Sequence, residues 1–340
     1  MRTALVLRLM QKMLIIQTAF IGDVVLATAL VEKLHSFYPG SEIDFLLRKG
    51  NEGLLSNHPF LHEVLIWNKQ KNKYKNLWKI LGKIRSRKYD LVVNVQRFAA
   101  TGLLTAFSGA KTTVGFDKNP WSSFFSRKIK HQISTSEKPL HETERNQLLI
   151  AGLTDEAPAK PALYPSEKDF VSVKNFQNSS YVCVAPASVW FTKQYPPDKW
   201  ISFINQLPDG LSVHLLGAPG DVDLCEHIRT KTTNKNVTNL AGKLNFLQSV
   251  ALQKNAVMNY VNDSAPMHFA SAVNAPVAAI YCSTVPSFGF GPLSDKSFIV
   301  QTRENLSCKP CGLHGHKACP LGHFKCALTI EDDQLLTVLK

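Results

Sequence analysis

Carboxylates are scarce in this chain: its 340 residues carry 26 Asp and Glu against 39 Lys and Arg, a formal net charge of +13. Such a molecule is drawn to anionic partners, whether acidic lipid, sugar phosphates or nucleic acid, and charge alone does not choose among them. Long apolar runs are missing too. No uninterrupted stretch reaches the ~18 residues that a membrane-spanning helix requires. Short-period repeats and low-complexity tracts are absent, so no repeat array is indicated. Cysteine is odd in number, at seven. An odd count without a clear export signal points to a reducing cytoplasm rather than a disulfide framework. The N-terminus has Arg2, an apolar character and an Ala27-Thr28-Ala29 triplet that superficially resembles a secretory cleavage site. Gln11, Lys12 and Asp23 interrupt that pattern, and Met13 opens a better first strand, so residues 1–12 read as an extension or a misplaced start.

What is present is ordinary for a globular chain. At 44% apolar and 19% charged it has enough for two cores, and its length suits two domains. Strand-like runs alternate with helical periodicity: Met13 to Gln17, Val24 to Phe37, Glu42 to Leu47, Val64 to Trp67, Tyr74 to Arg87 and Leu91 to Val95. The segment His141 to Leu153 reads as a helix closing the first half. Thr154 to Ser180, with Pro158, Pro161 and Pro165, reads as a linker. A second alternating set follows, beginning with the strand Tyr181 to Ala185 and ending with the strand Val277 to Tyr281. This alternation predicts parallel sheets with crossover helices. The expected domains are residues 1–155 and 178–325, with a C-terminal helix over 326–340 packing back towards the first domain.

Several loops fall where such sheets bind ligands. Gly22-Asp23 lies between the first strand and an apolar-periodic helix. Asp23 is either a helix cap, worth ~1 kcal/mol, or a base at the carboxyl edge of the sheet. Ser188, Thr192 and Lys193 follow the strand Tyr181 to Ala185 and have the donors that phosphate oxygens accept, Lys193 as a point charge. Asp221, or Asp223 beside it, follows the strand Leu211 to Leu216; it is a ribose ligand or a cap. The Asp263-Ser264-Ala265 turn opens a helix whose free N–H groups and positive end favour an anion. Pro266 suits the first turn, and His268 lies one turn in. Lys71 to Lys88 is an amphipathic cationic helix, either a solvated surface whose apolar stripe faces the core or a face for an acidic membrane or a phosphorylated acceptor. Cys308-x2-Cys311-x7-Cys319-x6-Cys326 begins with zinc-ligand spacing. Its second pair is looser, so free thiols packing a loop are favoured over a closed structural zinc, and an open catalytic metal comes last.

The order and spacing of QTAFIGDVVLATAL, YDLVVNVQ, TTVGFDK, PASVWFTKQYPPDKW, LLGAPGD, NLAGKLN, NDSAPMHFASAVNAPVAAIY and FGFGP resemble the ADP-heptose:lipopolysaccharide heptosyltransferase family, glycosyltransferase family 9, over roughly residues 13–335. The resemblance implies an α/β GT-B fold: two Rossmann-like domains with parallel sheets facing across a cleft, acceptor on the first and nucleotide sugar on the second. It implies an inverting transfer of heptose or a related sugar, with ADP-heptose as donor and without a catalytic metal, onto a lipopolysaccharide core or other lipid-linked anionic acceptor at the inner face of the cytoplasmic membrane. By motif match, Asp23 is the general base; Ser188, Thr192, Lys193, Asp263, Ser264, Ala265 and His268 hold the donor; Asp221 meets the ribose; and Gly22, Gln96 and Arg97 lie on the acceptor side. Two other classes stay open: another GT-B nucleotide-sugar enzyme, an epimerase or hydrolase, and a basic nucleic-acid-binding protein. Against the last, no nucleic-acid motif appears and aromatics do not interleave with the basic residues on a stacking sheet.

Overall fold

The computed structural model describes residues 10–339 apart from 133 and 136. It divides into two units, one ending at Ser134 and resuming over Leu140–Tyr164, the other comprising Thr135–Pro139 and Pro165 onward. The expected extension over residues 1–12 falls largely outside the described residues; Lys12 already belongs to the first strand.

Unit 1 contains β1 (Lys12–Ile16), α1 (Ile21–Phe37), β2 (Glu42–Arg48), β3 (Glu63–Trp67), α2 (Lys73–Arg87), β4 (Leu91–Asn94), α3 (Ala99–Ala106), β5 (Thr112–Phe116), β6 (Arg127–Ile129) and α4 (Glu142–Gln147). Its strands run in the order β3-β2-β1-β4-β5-β6, with every described pairing parallel. Met13, Leu14, Ile15 and Ile16 are all fully buried. A strand covered on both faces needs a continuous apolar run rather than alternation. Helix α2 buries Leu77, Ile80, Leu81 and Ile84, one stripe at helical spacing, against Leu14, Leu46, Leu65 and Trp67. Its lysines point outward, and Lys83 and Arg87 both pair with Glu63 on β3.

Unit 2 contains α5 (Glu167–Val173), β7 (Tyr181–Ala185), α6 (Pro197–Asn205), β8 (Ser212–Leu215), α7 (Val222–Lys231), β9 (Val237–Asn239), α8 (Phe246–Lys254), β10 (Met258–Asn262), α9 (Ala265–Ala272), β11 (Val277–Tyr281), β12 (Ser297–Gln301), α10 (Lys325–Leu328) and α11 (Asp332–Thr337). Its order, β12-β11-β10-β7-β8-β9, repeats the winding of unit 1. Alternate residues of β7 serve opposite cores. Val182 and Val184 pack with Trp200 and Phe203 of α6, while Tyr181, Cys183 and Ala185 pack with Leu252 of α8 and Met267 of α9.

One boundary differs from expectation. The stretch Thr154–Ser180 is not a bare linker: the units part at Tyr164, and Ser166 caps α5, which buries Val173. The proline spacing that suggested a linker ends at Pro165, and the capping Ser166 with Asp169 then starts a helix. Helix α11 belongs to unit 2. Leu335 of α11 is fully buried in that core, and Tyr260 donates its hydroxyl proton to the Leu335 carbonyl at 3.0 Å.

Candidate donor and acceptor sites

In a doubly wound sheet, ligands bind beyond the carboxyl ends of the strands where the winding reverses. That point is β1/β4 in unit 1 and β7/β10 in unit 2. Every proposed site residue except Asp221 sits in a loop or first helical turn leaving one of these four strands.

At β1/β4, Gln96 ties the two strand ends together. Its buried side-chain oxygen accepts from Thr18 N at 3.1 Å and from Thr18 Oγ1 at 2.6 Å. Lys69, at the end of β3, donates to the Thr18 carbonyl at 2.9 Å and to Thr18 Oγ1 at 2.7 Å. Burial, together with Arg48 and Lys73 nearby, pushes the Lys69 ammonium down to about 8. Gly22 and Asp23 are half-buried in the first turn of α1, which begins at Ile21. Asp23 stands third in the helix, with Phe20 at the cap position, and its Oδ2 accepts from Phe20 N at 3.2 Å. The turn therefore both satisfies a free amide and holds the carboxylate at the sheet edge. Arg97 is exposed.

Sequence reasoning missed a second carboxyl. Glu142 opens α4 and is 8% exposed. Its Oε2 meets Arg145 Nη1 at 2.9 Å. Burial pushes the carboxyl up to about 7; Arg145 pulls it down, the nearby Asp23 pushes it up, and Arg97 pulls it down. Arg97 and Arg145 also hold down His131, which burial chiefly depresses to about 4. Asp23, Glu142, Arg97 and Arg145 thus share one electrostatic neighbourhood. The only signal was the helix read over His141 to Leu153, which carries Glu142 in its first turn. Only the fold reveals that it is buried.

At β7/β10, Lys193 Nζ meets Asp263 Oδ2 at 2.6 Å, with the side chains 16% and 9% exposed. Thr284 Oγ1 donates to the same Asp263 oxygen at 2.7 Å. Thr284, at the end of β11, was also missed by sequence reasoning. An ammonium has three donors, so the pairing with Asp263 orients Lys193 and leaves N–H groups for an anion. Asn262 locks the strand ends together, accepting from Tyr195 N at 3.0 Å and donating to the Pro186 carbonyl at 2.7 Å. Ser264 caps α9 in an extended conformation; Ala265 begins the helix, Pro follows within its first turn, and His268 is buried. The first amides of α9 therefore open at the switch point beside Lys193 and Asp263. Thr192 is buried, whereas Ser188 is half-buried and its carbonyl accepts from Gln194 Nε2 at 2.6 Å.

Asp221 stands apart, in the turn after β8. Its Oδ2 accepts from Ala218 N at 2.7 Å, and Asp223 is exposed. Gly217 lets that turn close: a Cβ there would lie 2.8 Å from the Asp221 Cβ. The cysteines Cys308, Cys311 and Cys319 are half-buried and Cys326 is buried. Among the described residues, no three His, Cys, Asp or Glu side chains converge on an ion position.

The sequence profile of glycosyltransferase family 9 (heptosyltransferase) matches residues 77–322. The chain belongs to glycosyltransferase family 9. It is therefore a glycosyltransferase of the GT-B class. It is 28% identical over 281 residues to lipopolysaccharide heptosyltransferase 3 of Escherichia coli, covering 78% of this chain and 82% of that one. Among solved structures, a family 9 glycosyltransferase of Veillonella parvula superposes with a TM-score of 0.83 at 19% identity, covering 97% of both chains. The E. coli heptosyltransferase WaaC, solved with ADP, gives a TM-score of 0.72 at 18% identity over 85% of this chain and 92% of that one. These two likenesses bear on the fold; the family 9 profile and the curated relative bear on the activity.

Proposed function

We propose that this family 9 enzyme transfers heptose from ADP-heptose to a lipopolysaccharide core acceptor with inversion at the anomeric carbon. The observation that carries the donor half is the Lys193–Asp263 pair at 2.6 Å beside the first turn of α9. Lys193 and the α9 amides neutralise the charge that gathers on the departing diphosphate, while Thr192, Ser188 and His268 frame the phosphates and sugar. Fixed dipoles of this kind act on charge that develops only as the bond to the sugar breaks. WaaC, a relative by fold, was solved with ADP, which is in keeping with an adenine nucleotide at this position.

Asp23 is the proposed general base. It takes the proton from the acceptor hydroxyl as that oxygen attacks the anomeric carbon, and ADP leaves from the opposite face of the sugar. A positioned base contributes ~10²–10⁴-fold. Burial raises the Glu142 carboxyl to about 7 and so favours its neutral form beside Asp23, which keeps the negative charge of the neighbourhood on Asp23. Gly22, Gln96, Arg97 and Lys69 form the acceptor side, which suits an anionic glycolipid. The enzyme is proposed to work at the inner face of the cytoplasmic membrane, with the exposed lysines of α2 towards acidic lipid. Among the described residues, no helix is long and apolar enough to cross a membrane.

The test uses Asp23→Asn with ADP-heptose and a lipopolysaccharide core acceptor. The expected result is a loss of transfer by ~10²-fold or more with donor affinity unchanged. Transfer at the parent rate removes Asp23 as base. Release of free heptose by the parent, without acceptor and at the transfer rate, makes the protein a hydrolase instead.

A further inference from the structure

The cysteine-rich segment that follows β12 takes no part in the reaction proposed above, yet it is built against the donor loop. Cys308, Cys311, Cys319, Cys326 and His323 line one cavity of about 220 Å³, with Thr192 and Ser283 on its wall. Cys308 Sγ lies 4.0 Å from His323 Nε2. All four cysteines belong to the wall of this one cavity. Apart from these groups the wall is apolar, so water gains little by filling the space.

Four thiols facing one void are the donor set of a soft metal ion. They line the wall rather than converge on a point. A change of χ1 rotamer carries a thiol sulfur about 3 Å, so side-chain rotation can draw the four inward without moving the strands that flank them. Each ligating thiol would release its proton to solvent, and binding would be lost in acid.

The segment is also wired to the donor loop. Cys311 N donates to the Ser283 carbonyl at 2.7 Å, and Ser283 Oγ donates to Thr192 Oγ1 at 3.0 Å. His316 N donates to Thr192 Oγ1 at 2.7 Å, and Thr192 N returns a bond to the His316 carbonyl at 3.1 Å. Thr192 precedes Lys193. We propose that Cys308, Cys311, Cys319 and Cys326 bind one zinc or iron ion in a closed tetrathiolate site, and that this ion fixes the segment which holds Thr192 and so positions Lys193. The site itself does not depend on the function proposed above; its coupling to Lys193 does.

The experiment measures zinc and iron by mass spectrometry in the full-length protein purified under reducing conditions without chelator. About one equivalent per chain is expected, falling to background in the Cys308→Ser/Cys311→Ser double variant. Should that variant fail to fold, the parent decides the matter. A strong chelator should expose four thiols to a colorimetric thiol reagent, and zinc added back should protect them again. Background metal with freely reactive thiols overturns the site, as does a Cys308–Cys311 disulfide found by peptide mapping. For the coupling, metal removal should weaken ADP binding by ~10-fold, the scale of one lost charge-assisted hydrogen bond. Unchanged ADP affinity in stripped protein overturns the coupling and leaves the metal site standing. Failure of the metal-loaded parent to bind ADP counts against the donor assignment instead.

Discussion

Replacing Glu142 by Gln should make unit 1 more stable relative to the parent as pH rises. The carboxyl is 8% exposed, and burial pushes it up to about 7 from an ordinary 4.5. Below pH 4.5 the group is neutral both in the fold and in the unfolded chain, so it contributes no pH dependence. Between 4.5 and 7 the unfolded chain loses the proton while the folded one keeps it, and stability falls. Above 7 both are ionised and the penalty levels off. At 1.36 kcal/mol per unit the full effect is about 3 kcal/mol. Glutamine has nearly the same shape and cannot ionise, so the variant should escape the decline. It also gives up the Glu142–Arg145 contact at 2.9 Å, which lowers its stability by an amount that grows where the parent is ionised. The net rise in the variant-minus-parent difference between pH 4.5 and 8 already contains both effects, because Arg145 is one cause of the value of about 7. The assay is urea unfolding of the two proteins side by side at matched ionic strength. The two units can unfold separately, so the transition to follow is the one the substitution moves. Parallel stability curves, or a variant that loses ground as pH rises, would refute the reasoning and mean that Glu142 is ionised and paired at neutral pH.

Three further outcomes follow from contacts already described. Lys193→Met leaves the Asp263 carboxylate with Thr284 alone and should cost unit 2 about 2–3 kcal/mol, the low side of breaking a buried pair because both groups keep some solvent; adding Asp263→Asn should recover most of that in a thermal melt, and failure to recover it would mean that the pair is not the source. Lys69 should titrate near pH 8 by carbon NMR of its ε-methylene, and a midpoint above 10 would show that the site is wetter than its bonds to Thr18 imply. Trp200→Ala removes a fully buried ring packed edge-on to Tyr195 at 5.1 Å and should cost ~3–5 kcal/mol in chemical unfolding; a loss under 1 kcal/mol would mean the core refills the space.

The strands were legible where burial on both faces forces an apolar run. Tyr181–Ala185 and Val277–Tyr281 fall as their residues predict, and Ile21–Phe37 begins only three residues before the expected Val24. The edge strands Arg127–Ile129, Val237–Asn239 and Ser297–Gln301 escaped notice because each is short or carries polar residues on an open side. The helix read over His141–Leu153 survives only as Glu142–Gln147: Gly152 adopts a positive φ of 83°, and the turns before it end the helix. Loop motifs put Asp23, Lys193 and Asp263 on strand ends where the structure also has them, at the points where the winding reverses. Glu142 and Thr284 were invisible because their roles arise from neighbours far away in sequence, Asp23 in one case and Asp263 in the other.

The two halves wind their strands in the same sequence, yet they dress the reversal point with different chemistry: carboxyls and guanidinium groups in one, an ammonium and free helix amides in the other. Each half has its own core, so the loops at one mouth can change without disturbing the other's scaffold. If the acceptor and donor assignments proposed above hold, a lineage of such proteins can change what is glycosylated by editing the first half and keep its sugar supply untouched in the second. Chimaeras joined at Tyr164 would reveal whether the two specificities are inherited separately.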